Sequence, residues 1–149
     1  MKNQTSPETP VSEIDITEFH TRKIANEGID LPLNKPDGTP TPHSIRVRSV
    51  DSDAFHLTQS AQARRWLELK EKPEGDALYK WNQESRLNQL ACLVTQWTFP
   101  QPCTPENVKA FLHEAPQIAD QIDRLAVDRT RFFKAGSTTF TPLPAPKSN

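Results

Sequence analysis

The sequence predicts an α+β fold, in which a short N-terminal antiparallel β-hairpin is followed by a mostly α-helical bundle of about four helices. Three observations lead to this prediction. Apolar and polar residues alternate on both sides of a turn signal within residues 29–47, which is typical of paired strands. From residue 51 onward, the apolar residues instead recur at helical spacing. Both ends of the chain are polar and rich in proline, so they lack the apolar surface that a core requires.

The same contrast predicts how the chain is divided. Residues 1–12 are expected to form a disordered leader, residues 13–135 a single domain, and residues 136–149 a disordered tail. Within the domain, the hairpin is assigned to residues 28–50 and the helices to residues 51–135. A length of 149 residues is usual for one domain with one modest core.

The hairpin prediction depends on residues 35–39, Lys-Pro-Asp-Gly-Thr, whose Asp-Gly pair suits a tight turn. Pro32, Pro40 and Pro42 cannot donate hydrogen bonds to a ladder, so both runs are predicted to be short edge strands. An isolated hairpin is marginally stable in water. We therefore expect the helices or another subunit to cover its apolar face.

Two helices are predicted next. The first should begin at the capping residues 51–53 and end before Pro73. The second, over residues 76–96, is apolar on two sides and is expected in the middle of the bundle. The predicted apolar face of the first helix consists of Phe55, Ala63, Trp66 and Leu69.

The clearest local signal lies further along the chain. Thr104 is a suitable N-cap and Pro105 a suitable first helical residue, which predicts a short helix. Pro116 would break that helix, so it should begin another one, on which Asp120 and Arg124 are spaced for an ion pair. The predicted buried stripe of this last helix consists of Ile118, Ile122, Leu125 and Phe132.

Composition bears on the class of protein. The chain has 18 basic and 19 acidic residues, so no overall field attracts nucleic acid or an anionic membrane. No apolar run approaches the roughly 20 residues that span a bilayer, and no secretion signal is recognisable. We expect an intracellular protein with neither nucleic acid nor membrane as a partner, in which Cys92 and Cys103 are reduced thiols.

Catalytic and metal-binding patterns are not recognisable in the sequence. The four histidines are widely spaced, and no nucleophile elbow or glycine-rich phosphate loop occurs, so neither an enzyme nor a cofactor is predicted. A basic patch is the weaker interpretation of four arginines, because alternating arginines on a strand usually face solvent. These arginines are Arg46, Arg48, Arg64 and Arg65.

A family resemblance becomes visible in the second half of the chain. Residues 93–99, Leu-Val-Thr-Gln-Trp-Thr-Phe, precede a proline-rich break, the capped segment 104–107 and the segment 115–122, Ala-Pro-Gln-Ile-Ala-Asp-Gln-Ile. In this order they resemble the C-terminal block of the tail assembly chaperones of long-tailed phages and prophages. The turn at 35–38 and the strand after it are similar to the N-terminal part of that family, so the resemblance spans residues 28–135.

This resemblance implies a non-catalytic factor that binds the tape measure protein and helps to recruit tail tube subunits. Such a factor would act in the cytoplasm of the host cell and be absent from the mature virion, and a second copy of the chain is a further candidate partner. Two alternatives stay open: a structural virion protein, such as a minor tail or head completion component, and a small nucleic-acid-binding regulator. The candidate partner-binding residues are Trp97, Phe99, Phe111, Phe132, Phe133, Phe140 and Leu143.

Overall fold

The computed structural model describes residues 13–136, and in this part of the chain it contains a three-stranded antiparallel sheet and six α-helices. The predicted leader and residues 137–149 of the predicted tail lie outside the described residues. The strands are β1 (Ile29–Asn34), β2 (Pro40–Val47) and β3 (Val94–Trp97), and the helices are α1 (Arg22–Glu27), α2 (Asp53–Glu68), α3 (Gly75–Leu93), α4 (Pro105–Glu114), α5 (Pro116–Ala126) and α6 (Arg129–Gly136). The predicted α+β class is confirmed, whereas the hairpin with about four helices requires correction.

The predicted antiparallel pair of strands is present, as part of a three-stranded sheet. β1 and β2 pair antiparallel, with Ile29 opposite Val47 and Leu31 opposite Ile45. These four side chains are buried, as the alternating pattern predicts, because every second residue of a strand points to the same face. The apolar face of the hairpin therefore contributes directly to the core.

The sequence did not predict β3. It predicted a helix to residue 96, but α3 ends at Leu93, and Val94–Trp97 pair antiparallel with β2. Hydrogen bonds from the Arg48 amide to the Leu93 carbonyl (2.7 Å) and from the Thr98 amide to the Ser44 carbonyl (3.2 Å) extend the pairing at both ends. Long-range pairing has overridden the local helical pattern here, since the second edge of β2 needs hydrogen-bond partners.

This third strand makes β2 the central strand, so its prediction as an edge strand was wrong. Pro40 and Pro42 are accommodated because they precede Ser44, in the part of β2 that pairs with β1 alone. The backbone amide and carbonyl of Ser44 both bond to Thr98 and therefore point away from β1. Pro32 lies opposite Ser44 in a pair that exchanges no hydrogen bonds, so its nitrogen faces the open edge of the sheet. None of these three prolines removes a donor that the ladder uses.

Arg46 departs from the solvent-facing position that its pattern predicted. It is only 6% exposed, and its Nε and Nη2 both lie 2.9 Å from Oδ1 of Asp30 on β1. Arg48 is also engaged, because it donates to the carbonyls of Asn26 and Cys92. Of the four arginines of the alternative basic patch, Arg46 thus joins β1 to β2, and Arg48 joins the end of β2 to α1 and α3.

Helices α2 and α3 pack against each other as a helical arm. Their contact is partly polar: the amide of Gln89 donates to the side-chain oxygen of Gln62 (2.7 Å), which is buried between the helices. Nearer to the connection between the two helices, the rings of Trp66 and Trp81 lie 5.6 Å apart. Ala63, which was predicted for the buried face, is exposed, and Gln62 takes the buried position, whereas Phe55, Trp66 and Leu69 are partly buried as predicted.

The core lies between the sheet and α3, α4, α5 and α6. The predicted start signals are confirmed, because Thr104 accepts a hydrogen bond from the Asn107 amide and Pro116 stands in the first turn of α5. The last predicted helix is in fact two helices. All four residues of its predicted stripe are buried, but α5 ends at Ala126 and Phe132 belongs to α6.

Asp120 of α5 forms an ion pair, but its partner is not the predicted one. Asp120 accepts a hydrogen bond from Arg86 of α3 at 2.9 Å, rather than forming the predicted pair with Arg124. This contact joins two helices, whereas the predicted pair would have lain within one. It therefore helps to fix the position of α5 against α3.

A second ion pair fastens α6. Arg129 donates two hydrogen bonds to Asp51, at 2.7 and 2.8 Å, and these bonds lower the pKa of the Asp51 carboxyl although partial burial opposes the shift. A carboxyl whose pKa is lowered in the folded state stabilises the protein above its unfolded-state pKa of about 3.9, and this contribution is lost as the pH falls through the folded-state pKa.

We expect Asp51→Asn to lower the melting temperature by a few degrees at pH 7, because an exposed ion pair contributes little. The difference in melting temperature between the variant and the original protein should shrink below pH 4 and disappear at lower pH. Thermal unfolding followed by circular dichroism between pH 2 and 8 measures it. Asp123→Asn, at an exposed carboxylate of α5, is the matched control, and a deficit that persisted at the lowest pH would contradict the ion-pair explanation.

Candidate functional site

An apolar groove of about 350 Å³ lies between the turn end of the hairpin and the junction of α4 and α5. Its floor is formed by buried apolar residues, including Leu33, Ala115 and Ile118. Lys35 and Glu114 lie on its exposed rim. Its size falls within the range of ligand pockets, about 300–1,000 Å³, so it has room for several apolar side chains of a bound chain.

Aromatic rings form one end of this groove, which we call the aromatic groove. The ring of His43 stacks on that of Phe99 with centroids 4.5 Å apart, and Phe99 lies 5.3 Å from Phe111. Behind them, Trp97 meets both phenylalanines edge to face, at 5.2 and 5.8 Å. Edge-to-face and offset contacts of this kind are favourable, so the rings are held in place before any partner binds.

Hydrogen bonds fix two of these rings, those of Trp97 and His43. The indole Nε1 of Trp97 donates to the Gln101 carbonyl at 2.7 Å. The hydroxyl oxygen of Thr98 lies 2.9 Å from Nδ1 of His43 and accepts the amide hydrogen of Ser44. Strands β2 and β3 therefore hold the rings of His43 and Trp97, and the rings of Phe99 and Phe111 pack against these two.

The structure brings together three of the seven predicted partner-binding residues. Trp97, Phe99 and Phe111 form the aromatic cluster, in which Phe99 and Phe111 line the groove and Trp97, 3% exposed, supports them from the core. Phe132 is buried in the core at 2% exposure, and Phe133 is 47% exposed on α6, away from the groove lining. Phe140 and Leu143 lie outside the described residues.

Sequence reasoning missed the hairpin side of the groove. Leu33, Pro36, Thr41 and His43 were not predicted as site residues, yet all four line it. The proline in the turn and the lone histidine beside a strand were visible in the sequence. The missing prediction was β3, whose pairing with β2 places Phe99 against His43.

Both free cysteines of the described residues are partly buried and lie outside the groove lining. Burial raises the pKa of both free thiols, Cys92 and Cys103, which disfavours the nucleophilic thiolate form. Over residues 13–136, the structure contains no group of three or more His, Cys, Asp or Glu residues that could hold a metal ion. Nor does any helix in that range have both the length and the apolar character needed to cross a membrane.

Comparison with known proteins identifies no relative: no protein-family model, no curated protein and no solved structure matches this chain.

Proposed function

We propose that this protein is a non-catalytic tail assembly chaperone, which binds the tape measure protein of a long-tailed phage and helps to recruit tail tube subunits. The proposal places it in the host cell cytoplasm during assembly and outside the finished virion. The observation that carries it furthest is the aromatic groove, an open apolar surface on a well-ordered framework. The resemblance of residues 28–135 to tail assembly chaperones supplies the class of partner.

The partner's chemistry matches such a groove. A tape measure protein is a long helical chain, and apolar stripes along it would aggregate if they stayed exposed to water. An amphipathic helix docks into an apolar groove through side chains at positions i, i+3, i+4 and i+7. Phe99, Phe111 and Ile118 offer the apolar contacts for such side chains, while Lys35 and Glu114 on the rim offer contacts to polar neighbours.

Several copies of the protein would bind along one tape measure chain. Each groove covers only a short part of a long stripe, so a single contact is expected to be weak. Because the sites on the tape measure are linked, the total affinity rises without any new contact. Weak single contacts also allow the chaperones to be displaced as tail tube subunits cover the tape measure.

The test is co-expression of this protein with the tape measure protein encoded in the same genome. We expect a soluble complex that co-purifies through a tag on either protein. Gln117→Arg, which puts a charged side chain at the exposed edge of the groove, should reduce the recovered complex at least threefold. The same change at an exposed helical position outside the lining, Gln59→Arg, should leave it intact.

Two results would overturn the proposal. One is a tape measure protein that stays soluble alone and forms no complex in a pull-down. The other is the appearance of this protein at a fixed copy number in mass spectra of purified particles, which would favour a structural virion component. Circular dichroism of both glutamine variants checks that each of them is folded.

A further inference from the structure

The segment that precedes α1 displays large apolar side chains on the surface of the protein. Residues 13–20 are all exposed, and Ile16 and Phe19 each expose 73% of their surface. Ile14 adds a third apolar side chain, which is 43% exposed. Single exposed apolar residues are normal, but three of them within six positions are typical of a surface that another protein covers.

Hydrogen bonds within the segment give it a defined shape. Ile16–Phe19 form one turn of 3₁₀ helix, capped by Asp15, whose carboxylate accepts a hydrogen bond from the Thr17 amide at 3.2 Å. The carboxylate of Glu18 in turn accepts one from the Asp15 amide at 2.9 Å. A 3₁₀ helix has three residues per turn, so the first and last residues of this turn lie on the same side of it. A partner would therefore meet a preformed apolar surface, which lowers the cost of ordering it on binding.

We propose that residues 14–19 of one copy of the protein dock into the aromatic groove of a second copy. In this arrangement the ring of Phe19 lies against Phe99 and Phe111, where contacts between aromatic rings are favourable. Ile16 covers the apolar floor beside them. A short helical turn in an apolar groove is a recurring mode of recognition between proteins. The inference rests on the proposed function only in taking this groove as a surface that binds protein.

Charge favours this occupant and gives it an orientation. Three acidic residues, Glu13, Asp15 and Glu18, stand among the apolar ones, and the segment has no basic residue before His20. The groove has Lys35 exposed on the rim formed by the hairpin and Glu114 exposed on the rim formed by α4. Opposite charges across an interface attract each other, and like charges repel. The acidic side of the segment should therefore lie towards the lysine rim.

The segment leads into α1, which lies at the opposite end of the sheet from the groove. The Ala25 carbonyl of α1 accepts a hydrogen bond from the Ser49 amide just after β2, whereas residues 33–36 of the hairpin line the groove. The six residues of β1 separate these ends by about 20 Å. None of residues 13–20 lines the groove of its own chain, so the contact joins two molecules. Because it uses two different surfaces, it repeats from copy to copy and gives a ring or a filament.

Head-to-tail docking occupies the groove that the tape measure protein is proposed to bind. Free copies of the protein thus keep each other's grooves covered until a partner with a larger apolar surface displaces the segment. Residues 14–19 are far fewer than the roughly 20–30 residues that each side of a standard interface contributes. The contact is therefore weak and exchanges readily, which such displacement requires.

The test is the self-association of the full-length protein alone, measured by sedimentation velocity. Because the contact is weak, the weight-average mass should rise at least about 1.5-fold between about 10 µM and about 500 µM. Ile16→Ala/Phe19→Ala removes the apolar side chains of the segment and should stay monomeric. Lys35→Glu/Gln117→Glu makes the rim of the groove acidic at two exposed positions, which repels the segment, and should also stay monomeric.

A mixture of these two variants distinguishes head-to-tail docking from other kinds of association. The first variant has an intact groove and the second an intact segment, so the mixture restores one contact per pair of molecules. Equal amounts should form a one-to-one dimer and nothing larger. A mixture that stays monomeric would overturn the proposal, and so would association of either variant by itself.

The matched control is Leu57→Ala/Leu67→Ala, which removes two leucines of α2 that are 71% and 77% exposed. It should associate like the original protein, and its failure to do so would place the contact elsewhere. An original protein that is monomeric at the highest concentration is a further contrary result. Circular dichroism checks that every variant is folded. Since no tape measure protein is present, these outcomes are independent of the co-purification test.

Discussion

Replacing Phe132 with alanine should lower the free energy of unfolding by about 3–5 kcal/mol, the usual loss when a buried phenylalanine is truncated. Phe132 is 2% exposed and belongs to the core, where it secures α6. Removing its ring creates a cavity and withdraws the main apolar contact of a helix only eight residues long. Urea unfolding followed by circular dichroism measures the loss, and the midpoint should fall strongly.

The adjacent residue provides the matched control. Phe133 is 47% exposed, so Phe133→Ala should cost less than about 1 kcal/mol. The two changes remove the same ring from neighbouring positions of one helix, and they differ in burial alone. Similar losses for both variants would mean that α6 is not docked as the structure shows. A stable Phe133→Ala protein would also allow the predicted role of Phe133 in partner binding to be tested without unfolding.

Gly28→Ala should destabilise the protein by about 3 kcal/mol, through backbone strain and a steric clash together. Gly28 links α1 to β1 at φ 87° and ψ 175°, a region that only glycine adopts readily. A Cβ atom there would lie 2.7 Å from the carbonyl oxygen of Val47, which is part of the backbone of β2 and cannot rotate away. The start of β1 would have to move.

Gly38→Ala separates these two causes. Gly38 has a similar φ of 90°, but a Cβ atom at this position would meet nothing within 4 Å. The loss of stability in Gly38→Ala should therefore reflect backbone strain alone, about 1–2 kcal/mol. Denaturant unfolding of the two variants gives the difference in stability, which includes the clash of residue 28 with Val47. Equal losses at both positions would contradict a close approach of Gly28 to β2.

The sequence predicted correctly what short-range chemistry determines. The Asp-Gly turn of the hairpin, the N-cap Thr104 with Pro105, and the new helix at Pro116 each depend on residues a few positions apart. The buried stripe of α5 followed from its period. For the site, two phenylalanines of the groove, Phe99 and Phe111, were among the predicted residues.

The errors have a common cause, which is pairing between distant parts of the chain. Val94–Trp97 form a strand because β2, some 50 positions earlier, has a second edge to satisfy. Arg46 is buried because Asp30 lies opposite it, and that register is a property of the folded sheet. His43 was missed as a site residue because its ring partner Phe99 reaches it across the sheet. A periodic pattern in the sequence carries no information about such partners.

The direct passage from α3 into β3 has a mechanical consequence. Leu93 ends the helix and Val94 begins the strand, so no loop separates the helical arm from the sheet. α3 has 19 residues and is about 28 Å long, and Trp81 lies on it about 18 Å along the helix axis from Leu93. No loop between α3 and β3 can absorb a displacement of the Trp66–Trp81 pair. Such a displacement would be transmitted through α3 to β3, which ends at Trp97, and Trp97 contacts the rings of the aromatic groove.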